Sequence, residues 1–149
     1  MLSFIKKIFR DQTLDWPISV SDPVIGELKL SDDADWWEAK ITAGEKMIGF
    51  KIGGNGKPDP RLIAHAHDII RSLSEFERLV AAFLADEART NKSLVRFAEE
   101  IAQLTIEDIY LFWPKRPDDG MICFTGPDKF RVWRCDYVGR KLQGLGFDI

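Results

Sequence analysis

Apolar positions along this chain recur with two different periods, and the changes of period divide it into three blocks. From Val24 to Gly54 the period is two. Gly26, Leu28 and Leu30 alternate with Glu27 and Lys29; Trp37, Ala39, Ile41 and Ala43 alternate with Glu38, Lys40 and Thr42; Ile48, Phe50 and Ile52 alternate with Met47, Gly49 and Lys51. This predicts three half-buried strands, and the short turns at 31–35 and 43–45 make them an antiparallel meander with one wet face. From Asp59 to Leu104 the period lengthens. Leu62, Ala66, Ile69 and Leu73, then Phe76, Leu79, Val80, Phe83 and Leu84, form the apolar stripes of two amphipathic helices. Pro58 and Pro60 suit the start of the first, where a missing N–H costs nothing, and Ser74 with Glu77 reads as a capping box opening the second. Thr90, Asn91 and Ser93 predict a break before a third apolar series, Leu94, Phe97, Ile101 and Leu104.

Period two then returns. Ile109, Leu111 and Trp113 alternate with Tyr110 and Phe112, so both faces are apolar, as in a central strand. Met121 to Thr125 and Phe130 to Tyr137 predict a hairpin turning at Pro127 and Asp128, and Gly139, Gly144 and Gly146 around Leu142, Leu145 and Phe147 predict a closing edge strand. The order strands, helices, strands predicts an α+β domain: two antiparallel meanders, of three and of three or four strands, flank two or three helices that cover one sheet or two packed sheets. Ahead of them, residues 1–23 read as a short amphipathic helix and an extended lead-in. Phe4, Ile5, Ile8 and Phe9 share a stripe away from Lys6, Lys7 and Arg10, a pattern that fits a docked terminal helix and also admits weak membrane-surface contact.

At 149 residues and 45% apolar content, residues 1–149 fit one domain that buries roughly two-thirds of its unfolded surface. The net charge of −3 removes the whole-molecule field that attracts nucleic acid. The predicted hairpin pairs Thr125 with Phe130 and sets Cys123 opposite Val132, leaving Cys123 and Cys135 too far offset to bridge. Free thiols, with Lys6, Lys7 and Arg10 interrupting any apolar leader, point to the reducing cytoplasm.

Candidate chemistry is sparse. The loop Gly53 to Lys57 follows a strand and precedes a helix, but its spacing is neither the dinucleotide fingerprint nor Walker A. With His65 and His67 it defines an alternative ligand site around Gly54, Lys57, His65 and His67. On a helix the two rings diverge by about 200°, which does not suit a shared metal. No residue pattern implies a cofactor, and none supplies a nucleophile beside its base, so the chain reads as non-catalytic. Lys129, Arg131 and Arg134 around Trp133 form an alternative nucleic-acid patch, which period two splits between faces. Adjacent Trp36 and Trp37 must also face opposite ways, which puts one on the outer face. Trp36 rimmed by Asp32, Asp33, Asp35 and Glu38 is therefore the expected binding surface, suited to a basic protein partner.

The element order, with Ile109 to Trp113, Gly120 to Phe124, Arg131 to Asp136 and the tail Gly144, Leu145, Gly146, Phe147, Asp148, resembles small bacterial domains of unknown function. Some of these look like immunity proteins, which bind and block a toxin. The resemblance implies a toxin-neutralising binding domain and assigns no catalytic residue.

Overall fold

The computed structural model describes residues 17–149. The stripe expected over residues 1–10, and with it any membrane-surface contact, lies outside them. Four strands, β1 (Ser19–Asp22), β2 (Gly26–Leu30), β3 (Trp37–Ala43) and β4 (Lys46–Ile52), precede the helices α1 (Pro60–Arg71) and α2 (Leu73–Thr90). A 3-10 turn (Val95–Phe97) and the short helix α3 (Ala98–Ile101) follow, then β5 (Thr105–Leu111), β6 (Gly120–Thr125), β7 (Val132–Val138) and β8 (Lys141–Asp148). All eight strands form one mixed sheet in chain order.

Neighbouring strands are antiparallel at every join except one, the parallel pairing of β4 with β5, which sets Phe50 beside Ile109 and Ile52 beside Leu111. This corrects the expectation of antiparallel strands throughout. A parallel neighbour needs a crossover that returns the chain to the end it started from, and the helical middle is that crossover. It lies over one face of the sheet. Leu62, Ala66, Ile69, Phe76, Val80 and Leu84 from the helices form one core with Trp37, Phe50, Ile109, Ile122 and Trp133 from the strands.

The first helix begins as its prolines suggest. Asp59 is the N-cap, its carboxylate accepting from the Arg61 N–H at 2.9 Å. The capping box at Ser74 does not form: α2 starts at Leu73, and the cap residue Ser72 contributes no side-chain bond. The break near Asn91 is present as the end of α2. Part of the expected lead-in is instead the strand β1, because the Asp22 carboxylate takes the Val24 and Ile25 N–H groups at 2.9 and 2.8 Å and folds the chain back onto β2. The last hairpin is paired two residues differently from expectation. Cys123 lies opposite Arg134 and Cys135 opposite Ile122, because Asp128 holds Phe130 and Arg131 in a turn outside the ladder. Both cysteines are free thiols, and Cys135 is buried.

Candidate binding face

Helices cover one face of the sheet, and the other face carries polar and aromatic side chains in cross-strand rows. One row runs Glu38, Lys51, Tyr110, Met121; the next runs Lys40, Gly49, Asp108, Cys123, Arg134. At their centre, Gly49 leaves the space that Asp108 fills. A Cβ built on Gly49 would sit 2.0 Å from Asp108 Oδ1 and 3.4 Å from Lys40 Nζ. The result is a depression of about 420 Å³, lined by Glu27, Lys29, Glu38, Lys40, Lys51 and Asp108 among others.

Burial pushes the Asp108 carboxyl above the ordinary aspartate range, with Lys51 and Lys40 pulling it back. Burial likewise pushes Tyr110 up to about 12 and raises Cys123. Neither is ionised near neutral pH, so Cys123 is not held as a thiolate nucleophile. Gly49→Ala is expected to cost about 2 kcal/mol, because the new methyl group evicts a short, half-buried side chain. In an Asp108→Ala background the same change should be neutral or slightly stabilising, since alanine then relieves glycine's backbone entropy. Urea unfolding of the four proteins measures this coupling, and additive effects would contradict the contact.

Trp36 stands at one end of the first row. Its indole Nε1 donates to Glu38 Oε1 at 2.7 Å, and the Lys51 ammonium donates to the same oxygen at 3.1 Å. The Trp36 ring packs on Phe112 with centroids 5.7 Å apart, and Phe112 packs edge-on to Tyr110 at 5.2 Å. Lys51 Nζ lies 5.5 Å from the Trp36 ring and 5.9 Å from the Tyr110 ring. The Trp36 hydrogen bond, reinforced by Lys51, holds the Glu38 carboxyl below its ordinary range against the opposing effect of burial. The turn leading here is fixed by the buried Ser31 hydroxyl, which accepts from the Asp35 and Trp36 N–H groups at 3.2 and 3.3 Å. Asp35 and Trp36 also border a second depression with Gly53, Asn55, Phe112 and Pro114. Trp36, Asp35 and Glu38 thus converge at one end of the open face, and Asp32 and Asp33 are exposed on the turn beside them.

The alternative ligand residues do not converge. The His65 ring is fully buried, bonds through Nδ1 to the Pro117 carbonyl and stacks on Tyr137 with centroids 5.4 Å apart. Burial lowers its pKa, which favours the neutral ring. His67 Nε2 instead meets Asp22 at 2.7 Å. The loop glycines permit backbone to cross backbone: a Cβ on Gly53 would lie 2.6 Å from the Phe112 carbonyl oxygen, and one on Gly54 would lie 2.0 Å from that of Lys57. The helix start that a phosphate would use is already capped by the Asp59 carboxylate.

The basic hairpin patch is divided and paired. Arg131 bonds to Glu100 at 2.8 Å and Asp128 at 2.7 Å, Arg134 bonds to Asp148 at 2.9 Å, and Trp133 is fully buried on the helix side. Lys129 is exposed on the connecting turn.

Sequence reading missed Lys40, Lys51, Asp108, Tyr110 and Cys123 as neighbours, since they come from four strands. A signal was present in Asp108, a carboxylate in the strand that ranks as central, and in Gly49 at an otherwise side-chain-bearing position. Among the described residues no helix is long and apolar enough to cross a membrane. Comparison with protein-family models, with curated proteins and with solved structures found no match.

Proposed function

We propose that this chain is a non-catalytic binding protein that holds a basic protein partner against the face of its sheet opposite the described helices, as an immunity protein occludes a toxin. One observation carries the reading: Trp36, Phe112 and Tyr110 form a packed aromatic cluster on the face the helices leave open, beside Glu38 and the turn bearing Asp32, Asp33 and Asp35. Half-buried aromatics supply contact area at low entropic cost, and the surrounding carboxylates steer a cationic partner towards them. The free thiols suit work in the cytoplasm.

Co-expression with the product of the adjacent reading frame tests the proposal. A complex is expected, and Trp36→Ala should weaken it by roughly 30-fold, the effect of losing an interface hot spot of about 2 kcal/mol. An Asp32/Asp33/Asp35 triple Asn variant should mainly slow association and flatten its dependence on salt. No complex, or unchanged affinity in folded variants, would overturn the reading.

A further inference from the structure

We propose that Lys51 is an internal stand-in for an arginine of the partner: the cleft between Trp36 and Tyr110 is a cation seat that the chain fills with its own ammonium until an arginine displaces it. The inference rests on the partner reading of the same face and names the chemistry that face recognises. Three features of a cation seat occur together. The rings of Trp36 and Tyr110 both lie within 6 Å of one ammonium, at 5.5 and 5.9 Å, inside the range of cation–π attraction. The Glu38 carboxylate closes the seat at 3.1 Å from that ammonium. The Trp36 indole N–H, 2.7 Å from the same Oε1, fixes the carboxylate's orientation.

The seat is reachable from its carboxylate side. Lys51 is on a flexible stem with its side chain 21% exposed, and Glu38 is 46% exposed, so an incoming cation can meet Glu38 before Lys51 leaves. The seat also lies between two depressions, one under Glu38 and Lys51 and one beside Trp36 and Phe112, so an incoming side chain has room on either side. Arginine suits it better than lysine. Both bonds to Glu38 fall on Oε1, and a guanidinium can stack on the Trp36 face while forking across both carboxylate oxygens, which a point-like ammonium cannot do. The displaced Lys51 can then turn towards Asp108, whose half-buried carboxylate already feels its charge.

Titration of the full chain with N-acetyl-arginine amide, followed by the Trp36 indole N–H resonance in 15N spectra, tests this directly. Removing the stand-in should tighten binding: Lys51→Met is expected to bind about tenfold more strongly than wild type. Lys51→Gln gives a second measure should the methionine variant fail to fold. Lys40→Met removes the same charge from the same face without touching the rings, and should show no gain. Adding Trp36→Leu to Lys51→Met, followed through Glu38 side-chain shifts, should abolish the gain, and N-acetyl-lysine amide should bind more weakly than the arginine compound throughout. Equal affinity in wild type and both Lys51 variants, an equal gain in Lys40→Met, survival of the gain without Trp36, or a preference for lysine would each overturn the proposal. Failure of the partner reading is distinguishable. It shows as no complex with the neighbouring gene product while the titration stands, whereas a complex that Trp36→Ala weakens and Lys51→Met does not tighten overturns the stand-in alone.

Discussion

Replacing Trp37 with alanine is expected to cost the fold about 4 kcal/mol. Trp37 is fully buried and sits between Leu30 and Ile52 on the adjoining strands, so truncation opens a cavity in the sheet layer of the core. Trp37→Phe should cost far less than ring size alone suggests, about 1 kcal/mol. The Trp37 indole N–H is buried with no hydrogen-bond partner among the described residues, and losing an orphaned donor returns part of its desolvation cost. Urea denaturation of the three proteins decides the matter. A phenylalanine variant nearly as unstable as the alanine one would mean that the N–H is satisfied and that packing alone sets the cost.

Trp37 also shows what was legible from sequence. Period two along β3 assigned it and Trp36 to opposite faces, and the structure buries Trp37 and leaves Trp36 partly open. Alternation reports the environment of each strand but not which strand edge meets which, so the parallel join of β4 to β5 was not visible in it. The length of the helical connection was the available clue, because a crossover of that size permits parallel pairing. The strand β1, with the sequence Ser19, Val20, Ser21, Asp22, offers little apolar signal; the Asp22 carboxylate, bonding to backbone N–H groups two and three residues on, makes it a strand. The hairpin register shifted for the same kind of reason, as the Asp128 side chain takes Phe130 out of the ladder.

The proposed binding face was half legible. Trp36 and the acidic turn are contiguous in sequence, so reading along the chain reached them. Asp108, Lys40 and Lys51 become neighbours only through strand pairing, two of the pairings crossing the parallel join, where sequence distance exceeds fifty residues between Gly49 and Asp108. The residues that sequence joined most readily, His65 and His67, are pulled apart by the helix that carries them: one is locked under Tyr137 and the other tied to Asp22. The central strand's reading as apolar on both faces hid Asp108, which keeps a carboxylate in a half-buried place at a cost to its ionised form. Such costs are tolerated most readily where a face is kept for binding rather than for stability.

Glu100→Ala is expected to cost about 3 kcal/mol. Glu100 on α3 accepts from Arg131 Nε at 2.9 Å and Nη2 at 2.8 Å, and from the buried Trp133 indole at 2.6 Å. Its removal strands two donors at once, one fully buried, whereas the Arg131 guanidinium keeps Asp128 and the faces of Phe97 and Phe147. That remaining support and the half-buried setting of the pair keep the expected loss at the lower end of the range for a broken buried ion pair, and melting should fall by roughly 6–12 °C. Glu100→Gln retains shape and one acceptor, so about half the loss is expected. The pH dependence separates charge from shape. The hydrogen bond from Arg131 chiefly holds the Glu100 carboxyl below the ordinary glutamate range in the folded state, outweighing the opposing effect of burial with a lesser contribution from Trp133. Its charged contribution is therefore complete above the unfolded glutamate value, about 4.3, and is lost as pH falls through the lower folded value. The stability gap between wild type and Glu100→Gln should stay constant from neutral pH to about 5 and close below about 4. A gap that persists undiminished at pH 3 would show that the side chain acts through its shape, and that the charged bonds to Arg131 and Trp133 add nothing to the docking of α3 on the sheet.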